Sequence, residues 1–267
     1  MNIVAKEGLD TLNKLHLIMP MAGGGTRFSE KGFTVPKPLI KIQGKPFFYW
    51  AVQSIITPPP IIAENVIDIT FVVLHKHVDE NQIDKEIYKF FPNAKIKIIP
   101  EVLPGAVCTC LKGVEDITDD NPVIFNDCDH MFSCNALAKR LAQNNQLDFE
   151  GALVTFESNI PHFSYVKYDE AGNIIGTVEK QVVSNHAICG AYFFANAEIF
   201  RTMSEKYFET CQYKEYFISG VYNELCKANK KIVDFTTDFY LSFGTPEEYE
   251  SAKNSNYFDL IKSFSRG

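Results

Sequence analysis

Three consecutive glycines, Gly23, Gly24 and Gly25, precede Thr26-Arg27, and ten residues after Arg27 comes Lys37, held between Pro36 and Pro38. Each glycine has more backbone freedom to lose on folding than any other residue, so a run of three is costly to order. The compensating gain is close approach of the backbone to a ligand, with several N–H groups free to point at anionic oxygens. Arg27 adds a planar bidentate donor, and Lys37 a compact charge whose flanking prolines limit the local backbone. An ordinary strand-to-helix turn needs one glycine or two. The combination predicts a phosphate-binding loop. It is neither of two common ones: no lysine follows in the GxxxxGK[ST] pattern, and Phe28 stands where GxGxxG needs its last glycine.

A second chemical feature is Asn126-Asp127-Cys128-Asp129-His130, directly after the apolar run ending at Phe125. Two carboxylates two residues apart suit a hard cation such as Mg²⁺, which takes oxygen ligands at roughly 2.1 Å and keeps waters and substrate phosphates. A solvated acidic turn is the plain alternative, and an anion loop at the same sheet edge argues against it. His130 is given no catalytic role.

The elements that must position these residues follow from periodicity. Leu15 to Met21 reads as a buried strand feeding the glycine loop, and Pro46 to Ile56 as a helix closed by the Thr57–Pro60 block. Strands are predicted at 66–74, 94–99 (edge-like) and 122–125, and helices at 78–91 and 105–114. This alternation implies βαβ units and a mostly parallel sheet, whose ligands bind beyond the carboxyl ends of the strands. Both the glycine loop and Asp127 to Asp129 sit at such ends. Beyond residue 145 the pattern turns β-rich, with strands at 151–157, 165–168, 174–180 and 187–194, the middle two joined by a turn at 169–173. Helices at 196–209 and 215–228, two short strands within 232–243 and a helical tail over 245–264 complete the chain. Residues 1–14 read as a polar lead-in.

With 267 residues and 46% hydrophobic content, the chain can bury one sizeable core with an attached subdomain. A net charge of -7 argues against nucleic acid or an acidic membrane as partner, leaving room for a local basic pocket. Seven cysteines without a CxxC pair favour free thiols in a reducing cytoplasm. No apolar run reaches the roughly 18 residues of a membrane span.

GGGTRF, PKPLI and GKP together resemble the signature of the nucleotidyltransferases that act on sugar phosphates, the NDP-sugar pyrophosphorylase-like family. The resemblance continues through Leu103-Pro104-Gly105-Ala106, Val178-Glu179-Lys180, Ser184, Gly190 to Phe194, and Phe243-Gly-Thr-Pro-Glu-Glu-Tyr249. It implies a three-layer α/β/α Rossmann-like fold with a mostly parallel mixed sheet and a small β-rich acceptor subdomain. Residues 1–267 would form one domain, with an NTP half at 1–145 and an acceptor half at 146–267. It implies that Ala22, Gly23, Gly24, Gly25 and Thr26 wrap the NTP, that Pro104, Gly105 and Ala106 pack on the base, and that Asp127 lies beside it. Arg27, Lys37 and Asp129 would be catalytic, with Asp129 and then Asp127 holding Mg²⁺. Glu179, Lys180 and Gly190 would bind the acceptor. The implied partners are an NTP (CTP, UTP, GTP or dTTP) and a phosphorylated small molecule, with homo-oligomers left open.

The implied reaction transfers NMP to a sugar phosphate and releases pyrophosphate, for cell-surface polysaccharide precursors. The alternatives are a cytidylyltransferase for a phosphocholine-type alcohol, a glycosyltransferase of the same broad fold, and a non-catalytic nucleotide-binding homologue. Three positions depart from the family pattern. Ser242 stands where some members carry a second metal aspartate, leaving Asp234, Asp238 or Asp127 as substitutes, or no second ligand at all; Gln181 replaces a proline, and Gly220 an aspartate.

Overall fold

The structure, a computed structural model, describes residues 14–56, 66–143 and 147–264. The lead-in over 1–13, the Thr57–Pro60 block and the boundary between the two halves at 145 lie outside the described residues. The first strand, β1 (Leu15–Pro20), runs into the glycine loop and the single turn α1 (Thr26–Ser29). A 3₁₀ turn (Lys37–Leu39) and a small hairpin, β2 (Lys41–Ile42) and β3 (Lys45–Pro46), lead to α2 (Phe47–Ile56). Then follow β4 (Ile67–Leu74), α3 (His75–Asn81), α4 (Ile83–Phe90), β5 (Lys95–Ile99), α5 (Ala106–Val114), β6 (Val123–Asn126), β7 (His130–Ser133) and α6 (Asn135–Gln143). The second half is β8 (Gly151–Glu157), β9 (Ser164–Tyr168), β10 (Ile174–Glu179), β11 (His186–Phe194), α7 (Ala197–Thr210), α8 (Ile218–Lys227), β12 (Ile232–Thr236), β13 (Phe239–Ser242), α9 (Pro246–Ala252) and α10 (Tyr257–Phe264).

The main sheet runs β10-β9-β11-β6-β1-β4-β5, with β8 on β11 and β12 on β8. β1 pairs in parallel with both β4 and β6, and β4 with β5, as the βαβ reading requires. β11 reverses direction against β6 and carries the sheet from the first half of the chain into the second.

Alternation along the strands explains the layers, because successive side chains point to opposite faces. Leu15, Leu17 and Met19 of β1 and Ile69, Phe71 and Val73 of β4 face one core with α2, α4 and α6. Ile18, Val72 and Leu74 face the other, under α5, α7 and α8. A third cluster packs Phe28, Phe47, Trp50, Met131, Phe243 and Phe258 together, tying the phosphate loop to the C-terminal helices.

Several elements differ from the sequence reading. The helix predicted over 78–91 is two, broken at Gln82, whose left-handed backbone (φ 52°) caps α3 and re-aims α4 so that Ile83 and Ile87 bury. The predicted 215–228 helix begins at Ile218, because the Tyr216 backbone pairs with Pro104 and Val107 instead. The tail is two helices separated at 253–256. β7 escaped prediction; its partner β13 lies about a hundred residues away in sequence, with Ser242 paired to His130.

Candidate active site

The glycine loop leaves the carboxyl end of β1. Gly25 adopts φ 60° and caps α1, accepting the backbone N–H groups of Phe28 and Ser29. Such a left-handed position favours glycine. Gly23 and Gly24 have no such backbone requirement, and a Cβ at Gly23 would meet nothing within 4 Å. Internal packing therefore gives no reason for glycine there. Phe28 is buried against Phe33 and Phe47 with edge-on rings at 5.1 and 5.8 Å. Its anchoring leaves the adjacent Thr26 and Arg27 exposed, and Arg27 has no carboxylate partner among the described residues.

Lys37 opens the 3₁₀ turn, with Pro38 buried behind it. Its Nζ donates to Asp129 Oδ2 at 2.8 Å, a contact spanning two strand ends. Burial works against the lysine's charge, but the Asp129 carboxylate overrides it and holds the Lys37 pKa above its ordinary value. Burial likewise opposes ionisation of Asp129, and Lys37 overrides that too, keeping its pKa low. Asp127 differs. Burial, followed by the neighbouring Asp129 charge, raises its carboxyl to about 7, with Lys37 offsetting only part.

Asp129 is fenced from its other side. Its carbonyl accepts Phe243 N–H at 2.9 Å, and a Cβ on Gly244 would lie 2.4 Å from its Oδ2. His130 is buried, and its ring Nε2 lies 2.9 Å from Asn126 Oδ1. Because the Asn126 amide donates to Ala51 O, its Oδ1 is an acceptor, and His130 carries its proton on Nε2. Burial depresses the His130 pKa to about 4, so the ring is neutral.

Opposite the glycine loop, the segment Leu103–Ala106 is held by two backbone bonds to Tyr216, Tyr216 N–H to Pro104 O and Val107 N–H to Tyr216 O, both 3.0 Å. Gly105, at φ 139°, passes so close that a Cβ would lie 2.3 Å from the Tyr216 nitrogen. Between these walls is a cleft of about 620 Å³ lined by Ala22 through Phe28, Lys37, Val102 through Ala106, Thr109 and Asp127. Every residue expected at the NTP lines it.

A second cavity of about 310 Å³ adjoins it. Asp129, Glu179, Lys180 and Gly190 line this one. Gly190, at φ 92°, sits where β11 changes register between Ile188 and Tyr192, and a Cβ there would press on Asp127 and His130. Lys180 is also left-handed (φ 54°), pinned by its N–H to Phe163 O, with Nζ 5.3 Å from the Phe217 ring centre. Arg27, Asp127, Glu215 and Gly244 line both cavities.

The family model for nucleotidyl transferases matches residues 17–257. This chain belongs to the nucleotidyl transferase family. Among solved structures, the nucleotidyltransferase is similar to a nucleoside-diphosphate-sugar pyrophosphorylase from Vibrio cholerae RC9 (20% identity, 90% of this chain and 100% of that one, TM-score 0.74). It is also similar to the inositol-1-phosphate CTP transferase of T. maritima (15% identity, 96% and 98% covered, TM-score 0.71). A UDP-glucose pyrophosphorylase complexed with UDP-glucose is a third (19% identity, 92% and 99% covered, TM-score 0.67). At these identities the likeness establishes the fold. None of the curated proteins compared matches the chain. Among the described residues no helix is long and apolar enough to cross a membrane.

Of the substitutes weighed for a second metal aspartate, only Asp127 lies at the cavities. Asp234 accepts from Tyr168 and pairs with His186, Asp238 accepts Asn135 N–H, and neither lines either cavity. Ser242 lines the smaller cavity, as do Asp127 and Asp129. Gly220 is a packing residue: a Cβ there would lie 2.2 Å from the buried Tyr207 ring, between α7 and α8. Sequence reasoning gave no role to Thr109, His162, Phe163, Glu215, Phe217 or Glu248, all of which line a cavity. Two of them lay in family-like segments, Glu248 in the GTPEEY ending and Phe217 three residues before Gly220.

Proposed function

We propose that the larger cleft binds a magnesium NTP, that the smaller cavity binds a phosphorylated acceptor, and that Arg27 and Asp127 stand where the two phosphates meet. The observation that carries this reading is the shared lining of the two cavities by these residues, with the Lys37–Asp129 pair beside them. Glycine at 23 and 24, with no internal packing reason, supports close approach of a phosphate chain.

In the proposed reaction an oxygen of the acceptor phosphate forms a bond to the NTP α-phosphorus. The bond from that phosphorus to the β-phosphate bridging oxygen breaks, and pyrophosphate leaves with the electron pair. A phosphomonoester has a second pKa of about 6 and is mostly dianionic at neutral pH, so no strong general base is required. Catalysis is then positioning and charge neutralisation. Arg27 and Lys37 supply fixed positive charge, and Lys180 orients the attacking phosphate. Asp127 and Asp129 fit a magnesium ion as oxygen donors: burial first, and then the neighbouring Asp129 carboxylate, raise the Asp127 pKa with Lys37 offsetting only part, and a bound cation would relieve both. Mg²⁺ held there would neutralise charge on the triphosphate. The products are a nucleotide-activated acceptor, a sugar in the general reading, and pyrophosphate. We place this activity in the cytoplasm, in the supply of cell-surface polysaccharide precursors; the seven free thiols accord with that compartment.

Pyrophosphate release from CTP, UTP, GTP and dTTP with a panel of phosphomonoesters and Mg²⁺ tests the proposal. At least one NTP–acceptor pair should turn over. Turnover of donor nucleotide sugars while no NTP releases pyrophosphate would overturn it in favour of glycosyl transfer.

A further inference from the structure

Lys180 is held at both ends. Its φ of 54° lies in the left-handed region, where glycine sits without strain and lysine does not. A strained residue on a cavity wall points to a use for its side chain. The Lys180 N–H donates to Phe163 O at 3.0 Å, which fixes the backbone as it leaves β10. At the other end, Nζ lies 5.3 Å from the centre of the Phe217 ring. Lys180 and Phe217 both line the smaller cavity.

The nature of this seat matters. Among the described residues Lys180 forms no ion pair, and the neighbouring Glu179 carboxylate accepts from the Ser164 and Ser219 hydroxyls instead. Lys37, by contrast, shares its charge with Asp129 at 2.8 Å. An aromatic face attracts an ammonium through the ring quadrupole without neutralising it. Lys180 is therefore placed with its full charge still available to an anion. Phe217 is itself supported: the Tyr213 ring meets it edge-on at 5.8 Å, and the Tyr213 hydroxyl accepts Glu179 N–H at 3.3 Å. The segment leading into α8 thus clasps the Glu179–Lys180 corner through a ring and through the backbone.

Resting on the two-substrate reading above, we propose that Phe217 is a positioning residue for the acceptor phosphate, acting through Lys180. Its ring face keeps the Lys180 ammonium at the smaller cavity, so that an arriving phosphate meets a cation that is already ordered and carries an uncancelled charge.

Methyl phosphate tests this, because it carries the phosphate of an acceptor and almost nothing else. Its dissociation constant is read by phosphorus NMR titration. The larger cleft is first filled with Mg²⁺ and the α,β-methylene analogue of the NTP that most raises the melting temperature. Phe217→Leu should weaken methyl phosphate binding by roughly 5-fold, and Phe217→Tyr should stay within about 2-fold of wild type. In a Lys180→Met background, Phe217→Leu should cost less than about 2-fold, because the ring then has no cation to hold. A second series preserves the shape of the ring. One, two and three fluorines on Phe217 should weaken binding stepwise as the face loses negative charge. No loss on Phe217→Leu, equal losses with and without Lys180, or no trend along the fluorinated series overturns the inference and leaves the nucleotidyl transfer reading standing. So does a wild-type protein that fails to bind methyl phosphate while Mg-NTP raises its melting temperature. If no Mg-NTP raises the melting temperature, the two-substrate reading itself fails and the inference falls with it.

Discussion

At the scale of single residues, the site is a set of charges held in tension. Lys37 and Asp129 satisfy one another at 2.8 Å, while Asp127 beside them feels the Lys37 charge only in part and has no ion pair of its own among the described residues. Replacing Lys37 with Ala removes fixed positive charge from the reacting phosphates and should lower kcat by roughly 100-fold, on the order of 3 kcal/mol of barrier. Steady-state pyrophosphate release at saturating substrates reads this directly, and near-wild-type turnover would remove Lys37 from the mechanism. Asp127 gives a pH signature. Its carboxyl titrates at about 7 in the folded protein, above the ordinary 3.8, so the folded state holds the proton more tightly. Its contribution to stability is therefore present at low pH and lost as pH rises through that interval. Without Mg²⁺, the melting temperature of Asp127→Asn minus that of wild type should climb between about pH 4 and about pH 7. A flat difference would contradict the raised pKa. That Arg27 and Lys37 share one cleft with the glycine loop was legible in the sequence, because the segment that holds them is local. Gly244 was not, since its contact with Asp129 joins segments about a hundred residues apart.

At the scale of elements, strands bordered by glycine or charge were legible because their apolar runs are continuous and short. The breaks were harder to see. Gln82 turns left-handed to bury Ile83 and Ile87, and no local residue announces that turn. Tyr216 looks helical by spacing but lies outside α8, because Pro104 and Val107 use both its backbone groups. The same zipper supports the cleft wall opposite the phosphate loop. Gly105→Ala should force that wall off the Tyr216 backbone and raise the KM for NTP about 10-fold or more, with a smaller change in the acceptor KM. Comparable changes in both would show that the wall does not belong to the nucleotide alone. The α7–α8 contact explains a different glycine. Gly220→Asp would drive a charge into the Tyr207 ring, costing about 3 kcal/mol or more by overpacking and burial. Urea unfolding should show the loss as a lower midpoint, and an unchanged midpoint would contradict a packing role for Gly220.

At the scale of the whole molecule, one sheet joins the two halves through β11 on β6, so both cavities open along a common edge. The family and the placing of the glycine loop beyond a strand end could be read from motifs and alternation. The chemical character of the smaller cavity could not, because Phe163, Glu179, Phe217 and Glu248 come together only when β9, β10, α8 and α9 are folded around it. The central claim is that an acceptor phosphate attacks the α-phosphorus of an NTP in the space these halves share. Phosphorus NMR of one mixture of enzyme, Mg²⁺, NTP and turning-over acceptor tests it most directly. The account predicts loss of the three triphosphate signals, a new pair of coupled diphosphate doublets and free pyrophosphate in equal amount. Release of orthophosphate with a nucleoside diphosphate, or of pyrophosphate with free NMP and unchanged acceptor, would contradict it.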